Sequence, residues 1–258
     1  MFRFIENRLI FYPERALLSR PSDLGLEYDD LYFEAADGVR LHAWYIEPPA
    51  RGAAPLGYVL FLHGNAGNIS HFLDKTAGLA GLGLGVLSVD YRGFGLSGGK
   101  PSEAGVYLDS RAAFEALTNR PGATPDKTII FGYSLGGAAA AQLALEVGAR
   151  AVIFESTFTS IRDMAVAVFP FLPRFLVSPL FETSAKIGRI STPALFIHGD
   201  RDETVPVAMG RRLHELHPGP KRIMIIPGAG HTDVHLVGGD LYLQKIREFI
   251  QWAGGGAV

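Results

Sequence analysis

The sequence predicts an α/β fold with a mostly parallel sheet of about eight strands, helices on both faces and a short lid insertion. Short apolar runs alternate along the chain with longer stretches whose apolar residues recur at helical spacing. The short runs are apolar throughout, which is typical of parallel strands buried on both faces. With 258 residues and 48% hydrophobic content, the chain can bury one large core. We therefore expect a single domain over residues 1–258.

The first two strands are expected as a hairpin within "DDLYFEAADGVRLHAWYIEP". Asp37-Gly38 separates two strand-like runs in this stretch, and Asp-Gly is a frequent turn between antiparallel strands. Each later strand is an apolar run that ends at or near a turn-forming residue. In chain order these runs are "GYVLFLHG", "GVLSVDYRG", "KTIIFG", "RAVIFES", "TPALFIHGD" and "KRIMIIPG".

Helices are expected between these strands, where the apolar residues follow helical periodicity. In residues 103–118, for example, Val106, Ala113, Phe114 and Leu117 lie at helical spacing. The other expected helices span residues 69–82, 135–147, 207–216 and 239–252.

One long insertion, residues 156–190, separates two of the predicted strands and is rich in Phe, Leu and Pro. A long, apolar connection of this kind is typical of a lid over a functional site. Apolar side chains of the lid, together with Tyr133, are candidates for a substrate pocket, although the lid residues could equally pack the lid onto the body. The candidates are Tyr133, Phe158, Phe169, Phe171, Leu172 and Phe175.

Composition and charge exclude several classes of protein. The net charge of −2 and the scattered basic residues argue against a nucleic-acid partner. The chain has no cysteine, which excludes disulfides, thiolate metal sites and a cysteine nucleophile. The lack of cysteine is compatible with a reducing compartment, and we expect a cytoplasmic location.

The N-terminal segment "MFRFIENRLIFYP" lacks the continuous apolar stretch of a secretory signal, because charged residues interrupt it. Phe2, Ile5 and Leu9 could share one face of a short helix. We expect this helix to pack on the body of the protein. A weak contact with a membrane surface is the alternative.

The segment "TIIFGYSLGGAA" carries the strongest functional signal. Ser134 lies between Gly132 and Gly136, where a strand is expected to end and an Ala-rich helix to begin. This is the G-x-S-x-G pattern of a nucleophile elbow, in which a strained turn exposes the serine hydroxyl beside a helix N-terminus. We interpret Ser134 as a catalytic nucleophile.

A serine nucleophile requires a general base, and the base requires a carboxylate that orients it. His231, in the loop after the last predicted strand, is the expected base, and His235 is the runner-up. Asp200, Asp202 and Glu155 all follow predicted strands, and the residues alone do not rank the first two of these acids. The remaining histidines after Ser134 are expected in other roles. His198 is expected to be structural, and His214 and His217 are expected on a solvated helix surface.

Two backbone N–H groups are expected to stabilise the oxyanion of a tetrahedral intermediate. One belongs to Leu135, which follows the nucleophile directly. The other belongs to Asn65 in "HGNAGN", the loop after an earlier strand, where neighbouring glycines allow close approach of a substrate.

Taken together, four segments resemble the α/β-hydrolase superfamily: "HGNAGN", "DYRGFGLSGG", "GYSLGG" and "HGDRDETVP…GAGHTD". More narrowly, "DYRGFGLSGGKPSE" and "ESTFTSIRDMA" are similar to the branch that includes membrane-anchored acyl-protein thioesterases and their bacterial homologues. In that branch the second aspartate of HG-x-x-D-x-x-V-P is the acid, and the resemblance therefore implies Asp202.

The resemblance and the motifs together predict a serine hydrolase with a Ser134–His231–Asp202 triad, acting on a small-molecule carboxylic ester. An acyl-thioesterase is the main alternative, and a lipase or a peptidase is a weaker one. A non-catalytic binding protein would be expected to lack Ser134 or His231. The chemistry needs no metal and no cofactor, and we expect neither.

Overall fold

The structure, a computed structural model, describes residues 8–48 and 55–255. Phe2 and Ile5, which the sequence analysis assigned to an N-terminal helix face, lie outside the described residues, whereas Leu9 is 66% exposed. The strands are β1 (Tyr12–Pro13), β2 (Tyr28–Glu34), β3 (Arg40–Ile46), β4 (Gly57–Leu62), β5 (Ala66–Gly67), β6 (Leu84–Asp90), β7 (Thr128–Tyr133), β8 (Ala151–Glu155), β9 (Ala194–Gly199) and β10 (Lys221–Ile226). The α-helices from residue 73 onward are α1 (Leu73–Gly81), α2 (Glu103–Thr118), α3 (Leu135–Ala144), α4 (Ile161–Val168), α5 (Thr183–Ile187), α6 (Val207–Leu216) and α7 (Val234–Ala253).

Eight of these strands belong to one mostly parallel sheet, and β1 and β5 form a separate parallel pair. The predicted fold class is therefore confirmed. By its internal contacts the chain divides into two compact units, Met1–Ile130 and Phe131–Val258. The expectation of a single domain with a lid at residues 156–190 stays a prediction.

In the first unit the strand order is β4-β6-β3-β2. β3 is antiparallel to both β2 and β6, while β4 and β6 are parallel. The predicted hairpin is confirmed: Glu34 pairs with Arg40, and Gly38 in the turn has φ 78°. A positive φ of this kind is readily adopted by glycine, which accounts for the Asp-Gly signal.

In the second unit β9 pairs in parallel with both β8 and β10, and β8 is followed by β7 in the strand order. All residues of β7, β8 and β9 are buried. This agrees with their uninterrupted apolar sequences, because strands covered on both faces have no solvent-facing side. The carboxyl ends of β7 and β9 lead into the loops that carry Ser134 and Asp202.

Three helices differ from the predicted bounds by more than one residue. The expected helix at residues 69–82 begins as a 3-10 helix, Ile69–Phe72, and α1 follows from Leu73. α3 ends at Ala144 instead of residue 147, where a turn replaces the last part of the expected helix. α7 begins at Val234, five residues before the predicted start. Gly239 inside α7 has φ 49° and ψ −136°, which interrupts the regular helix at the residue where the periodicity had indicated its beginning.

The predicted lid contains α4, α5 and a short 3-10 helix, Arg174–Leu176. Ser160 caps α4, since its Oγ accepts a hydrogen bond of 3.0 Å from the N–H of Asp163. α4 has no buried residue. Within residues 8–48 and 55–255, no helix combines the length and the apolar character that a bilayer crossing requires.

Candidate active site

Ser134 lies at the junction of β7 and α3, between Tyr133 and Leu135. Its backbone has φ 52° and ψ −116°, a conformation that side-chain-bearing residues rarely adopt. Two hydrogen bonds hold the turn: the N–H of Ser134 donates to the carbonyl of Glu155 at 2.8 Å, and the N–H of Gly137 donates to the carbonyl of Ser134 at 3.0 Å. The strand–turn–helix geometry expected for the G-x-S-x-G pattern is present.

Two glycines permit the close packing around this turn. A Cβ atom at Gly132 would clash with the carbonyl of Gly136 across the turn. A Cβ atom at Gly137 would clash with the side chain of Thr157, which follows β8. The need for Gly132 was apparent from the pattern, whereas the need for Gly137 depends on a contact that is distant in sequence.

His231, in the loop between β10 and α7, contacts both Ser134 and Asp202. Its Nε2 atom lies 3.1 Å from Ser134 Oγ, and its Nδ1 atom lies 2.8 Å from Asp202 Oδ2. A carboxylate oxygen can only accept a hydrogen bond, so Nδ1 carries the proton in the neutral ring and Nε2 can accept one from the serine. The structure thus brings together the three side chains that the sequence analysis selected.

The carboxylate of Asp202 is held by its own loop. Its Oδ1 atom accepts hydrogen bonds from the N–H groups of Thr204, at 2.9 Å, and Val205, at 2.7 Å. The side chain is fully buried. Burial disfavours the charged form, but hydrogen bonds from His198, His231 and Val205 outweigh it and lower the pKa of Asp202 below its ordinary value. Asp202 is therefore ionised at neutral pH.

The other acid candidates have different partners. Asp200 is exposed, and its Oδ1 atom accepts a hydrogen bond of 2.6 Å from the N–H of Gly228. Glu155 is buried, and its Oε2 atom accepts a hydrogen bond of 2.6 Å from the hydroxyl of Tyr242. The runner-up base, His235, lies on the first turn of α7 with its ring beside Tyr242.

The two expected oxyanion donors lie in different units. Leu135 is the first residue of α3, so its N–H has no acceptor within the helix. Asn65 lies between β4 and β5 in the first unit. Its side chain donates to the carbonyl of Ile10 at 2.7 Å, and its own carbonyl accepts from the N–H of Tyr12 at 2.8 Å. The roles of Leu135 and Asn65 as oxyanion donors stay predictions.

Tyr133, a pocket candidate, contacts the candidate base. Its hydroxyl donates to the backbone carbonyl of His231 at 3.1 Å, and the two rings lie 5.4 Å apart. The side chain is buried, and burial, reinforced by the nearby Glu155, raises the pKa of the phenol. This contact between the elbow and the histidine loop was missed, because the residue between Gly and Ser in the pattern can be of any type.

The lid candidates divide by exposure. Phe158 is buried and Leu172 is half-buried. Phe169, Phe171 and Phe175 are 62%, 98% and 83% exposed. Three of the phenyl groups expected in a pocket or against the body are therefore at the protein surface.

One histidine differs from its expected surroundings, and a second has a partner that was not expected. His217, expected on a solvated helix surface, is buried beside Phe196, because it follows the last residue of α6 and turns back towards β9. His198, expected to be structural, is buried with Nε2 at 3.1 Å from Asp202 Oδ2. The only sequence feature that could have indicated this contact is the four-residue spacing of His198 and Asp202 in "HGDRD". Among residues 8–48 and 55–255, no cluster of three His, Cys, Asp or Glu side chains has a metal-binding arrangement.

Comparison with known proteins identifies relatives over most of the chain. Residues 53–185 match the family model described as "Serine aminopeptidase, S33". The uncharacterized protein Rv2307c of Mycobacterium tuberculosis is 36% identical, with 95% of this chain and 87% of the relative covered. The α/β hydrolase domain-containing protein WAV2 of Arabidopsis thaliana is 34% identical, with the same coverage of both chains.

Solved structures show the same fold at lower identity. An esterase from Pyrococcus furiosus aligns with a TM-score of 0.76 at 24% identity, covering 94% of this chain and 98% of the esterase. An α/β hydrolase from Vibrio vulnificus aligns with a TM-score of 0.78 at 21% identity, covering 96% of this chain and 93% of the hydrolase. At these identities the likeness concerns the fold alone.

Proposed function

This chain belongs to the α/β-hydrolase family described as serine aminopeptidase S33, and we propose that it is a serine hydrolase that cleaves carboxylic esters. The single observation that carries the proposal is the continuous path of contacts from Ser134 Oγ through the His231 ring to Asp202 Oδ2. A buried serine hydroxyl in contact with an oriented imidazole is the arrangement that nucleophilic catalysis needs.

In the proposed mechanism, Ser134 Oγ attacks the acyl carbon while His231 Nε2 accepts the hydroxyl proton. A tetrahedral intermediate forms, and the imidazolium then passes the proton to the leaving alcohol as the ester C–O bond breaks. Water repeats the sequence on the acyl-enzyme: His231 takes a proton from the water, the acid is released, and Ser134 regains its proton.

Asp202 stabilises the charged form of His231 during both halves of the reaction. Its low pKa keeps it anionic, and its two bonds from loop N–H groups fix the orientation of the carboxylate. We assign the oxyanion to the N–H of Leu135, at the positive end of α3. The role of Asn65 as a second donor stays a prediction. Each such donor is typically worth a factor of about 10² to 10³ in rate.

A second candidate, hydrolysis of an N-terminal peptide bond, is favoured by the description of the matched family. The acyl-enzyme steps are the same for an ester, a thioester and an amide, and only the leaving group differs. Three phenyl groups of the lid lie at the protein surface, so they do not distinguish between the three bond types.

The test is a panel of substrates with matched acyl groups. We would measure hydrolysis of p-nitrophenyl esters of short and long acids, the corresponding acyl-thioesters, and aminoacyl p-nitroanilides. We expect turnover of the esters to exceed that of the other two classes, and Ser134→Ala to reduce it by roughly 10⁶-fold, as loss of a serine nucleophile does. A dependence on acyl length would support a shaped acyl site beneath the lid.

The matched control is Ser156→Ala. Ser156 also follows a parallel strand of the second unit with a positive φ, 49°, and it is buried. Its hydroxyl has no hydrogen-bond partner among the described residues. We expect this variant to keep wild-type turnover. Equal losses in both variants would contradict the nucleophile assignment, and faster cleavage of the anilides would favour the peptidase.

A further inference from the structure

His198 is the second-last residue of β9, and its side chain contacts Asp202, the carboxylate that also contacts the proposed base His231. Its side chain is 2% exposed, and its Nε2 atom lies 3.1 Å from Asp202 Oδ2 and 2.9 Å from the carbonyl of Val205. Asp202 Oδ2 is the same oxygen that contacts His231 Nδ1. Two histidines therefore share one carboxylate oxygen.

The protonation state of His198 follows from its partners. Its Nε2 atom faces two oxygen acceptors, a carboxylate and a carbonyl, so Nε2 must carry a proton. Within residues 8–48 and 55–255, Nδ1 has no hydrogen-bond partner and is buried. A proton on Nδ1 would leave a buried donor unsatisfied, which is costly. The neutral ring with hydrogen on Nε2 is the form that fits.

Helix α6 closes the Nδ1 side of the ring. A Cβ atom at Gly210 would clash with His198 Nδ1, so the helix backbone lies directly against this nitrogen. Glycine at this position lets the helix backbone approach the ring, because any larger residue would place its Cβ atom on His198 Nδ1. The packing therefore favours the unprotonated Nδ1.

Asp202, Val205 and His198 form a closed set of hydrogen bonds. Val205 donates its N–H to Asp202 Oδ1 and accepts from His198 Nε2 through its carbonyl. The same Nε2–H also faces Asp202 Oδ2 at 3.1 Å, so one proton is shared between the two oxygens. With the N–H of Thr204 and with His231, the carboxylate receives four donors. Removal of His198 would leave Oδ2 with His231 alone.

We propose that His198 is a positioning residue for the reaction, a neutral donor that fixes Asp202 Oδ2 towards His231 without adding a second positive charge. A cationic His198 would neutralise the carboxylate and oppose formation of the His231 imidazolium. A neutral donor orients the carboxylate and leaves its full charge available. The proposal rests on the proposed function for its kinetic consequence, but its structural part can be tested without a substrate.

The test compares His198→Leu with His198→Gln. Leucine has a similar size and no donor, whereas the amide nitrogen of glutamine can occupy the Nε2 position and donate to both Asp202 and Val205. We expect His198→Leu to lower kcat about fivefold to tenfold with little change in KM, the effect of losing one hydrogen bond that orients a reacting group. We expect His198→Gln to recover most of kcat.

Two spectroscopic measurements are independent of turnover. Histidine-selective ¹⁵N NMR of the wild type should show His198 protonated on Nε2 only. The proton between His231 Nδ1 and Asp202 should change its ¹H resonance in His198→Leu, because Oδ2 becomes a stronger acceptor, and should stay near the wild-type position in His198→Gln. If no ester is turned over, the proposed function fails while these resonances still decide the role of His198.

The control is His217→Leu. His217 is equally buried in the same unit, and its Nδ1 atom accepts from the N–H of Gly219 at 3.1 Å. We expect a lower melting temperature with unchanged kcat and an unchanged His231 proton. The same behaviour in His198→Leu would reduce His198 to a packing residue and overturn the proposal, as would a wild-type His198 protonated on Nδ1.

Discussion

At the scale of single residues, Ser134 holds a backbone conformation with φ 52° that costs roughly 1–3 kcal/mol. Its surroundings compensate for this strain: its N–H is bonded to Glu155, its carbonyl to Gly137, and its hydroxyl to His231. Tyr133, one residue earlier, adds a bond from its phenol to the carbonyl of His231. The elbow therefore orients both the nucleophile and the loop that carries its base.

This contact predicts a kinetic effect of Tyr133→Phe. The substitution keeps the ring and removes only the hydroxyl, so His231 loses one backbone restraint. We expect kcat to fall about fivefold with little change in KM, since a neutral hydrogen bond contributes about 1 kcal/mol. Steady-state kinetics of ester hydrolysis measure this effect. Tyr12→Phe, which removes a hydroxyl bonded to the carbonyl of Leu9 at 2.8 Å, serves as the control, and equal losses in both variants would contradict the restraint.

Some of the candidate site residues could be predicted from the sequence and others could not. Ser134 and His231 could be predicted because each follows a strand with a recognisable loop pattern. Asp200 and Asp202 could not be separated on physical grounds, since both follow β9. The difference lies in the loop backbone: N–H groups of Thr204 and Val205 hold Asp202, whereas Gly228 holds Asp200. Hydrogen bonds of this kind depend on the folded loop and produce no pattern in the sequence from which they could be predicted.

At the scale of elements, the alternation of strands and helices was predictable because apolar periodicity reflects burial. The strand bounds follow the apolar runs closely, and α2 and α6 match the predicted residues 103–118 and 207–216. The failures are local. The start of α7 was predicted too late, because Gly239 has a non-helical conformation inside the helix. The packing of Gly137 in α3 against Thr157 was not predicted, because this glycine lies within a helix and not in a turn.

That packing predicts opposite effects for two Gly→Ala substitutions. In α3, Gly137→Ala would force a Cβ atom onto the buried Thr157, so we expect a loss of about 1–3 kcal/mol in the free energy of unfolding. At the end of α1, a Cβ atom at Gly81 would meet nothing within 4 Å. There we expect a gain of up to about 1 kcal/mol from helix propensity. Urea unfolding of both variants measures the difference, and a stabilised Gly137→Ala would refute the packing argument.

At the scale of the whole molecule, buried ionisable groups determine how stability depends on pH. Burial lowers the pKa of His63, which is enclosed by Phe72, Tyr91 and Phe94, and it also lowers the pKa of His217. These histidines bind protons more readily in the unfolded chain. Their contribution to stability is therefore complete above the ordinary pKa of about 6.5 and declines below it.

Other buried ionisable groups determine how stability changes with pH in strong acid and in base. The pKa of Asp202 is lowered, so its contribution persists above the ordinary carboxyl pKa and is lost only in strong acid as pH falls through its folded value. Burial raises the pKa of Tyr91 and Tyr242, so the unfolded chain releases their protons first, and stability declines above about pH 10. The free energy of unfolding should therefore be nearly constant between about pH 6.5 and pH 10.

We therefore expect the urea midpoint to be constant from pH 7 to pH 9, to fall progressively from pH 6.5 to pH 5, and to fall again above pH 10. The acid slope should be shallower in His217→Gln, even though the variant is less stable at pH 8, because the substitution removes one proton that the unfolded chain takes up preferentially. Denaturation series at pH 5, 6.5, 8 and 10.5 measure both effects. An acid slope that is the same in the variant and the wild type would show that His217 is protonated equally in both states, contrary to its burial.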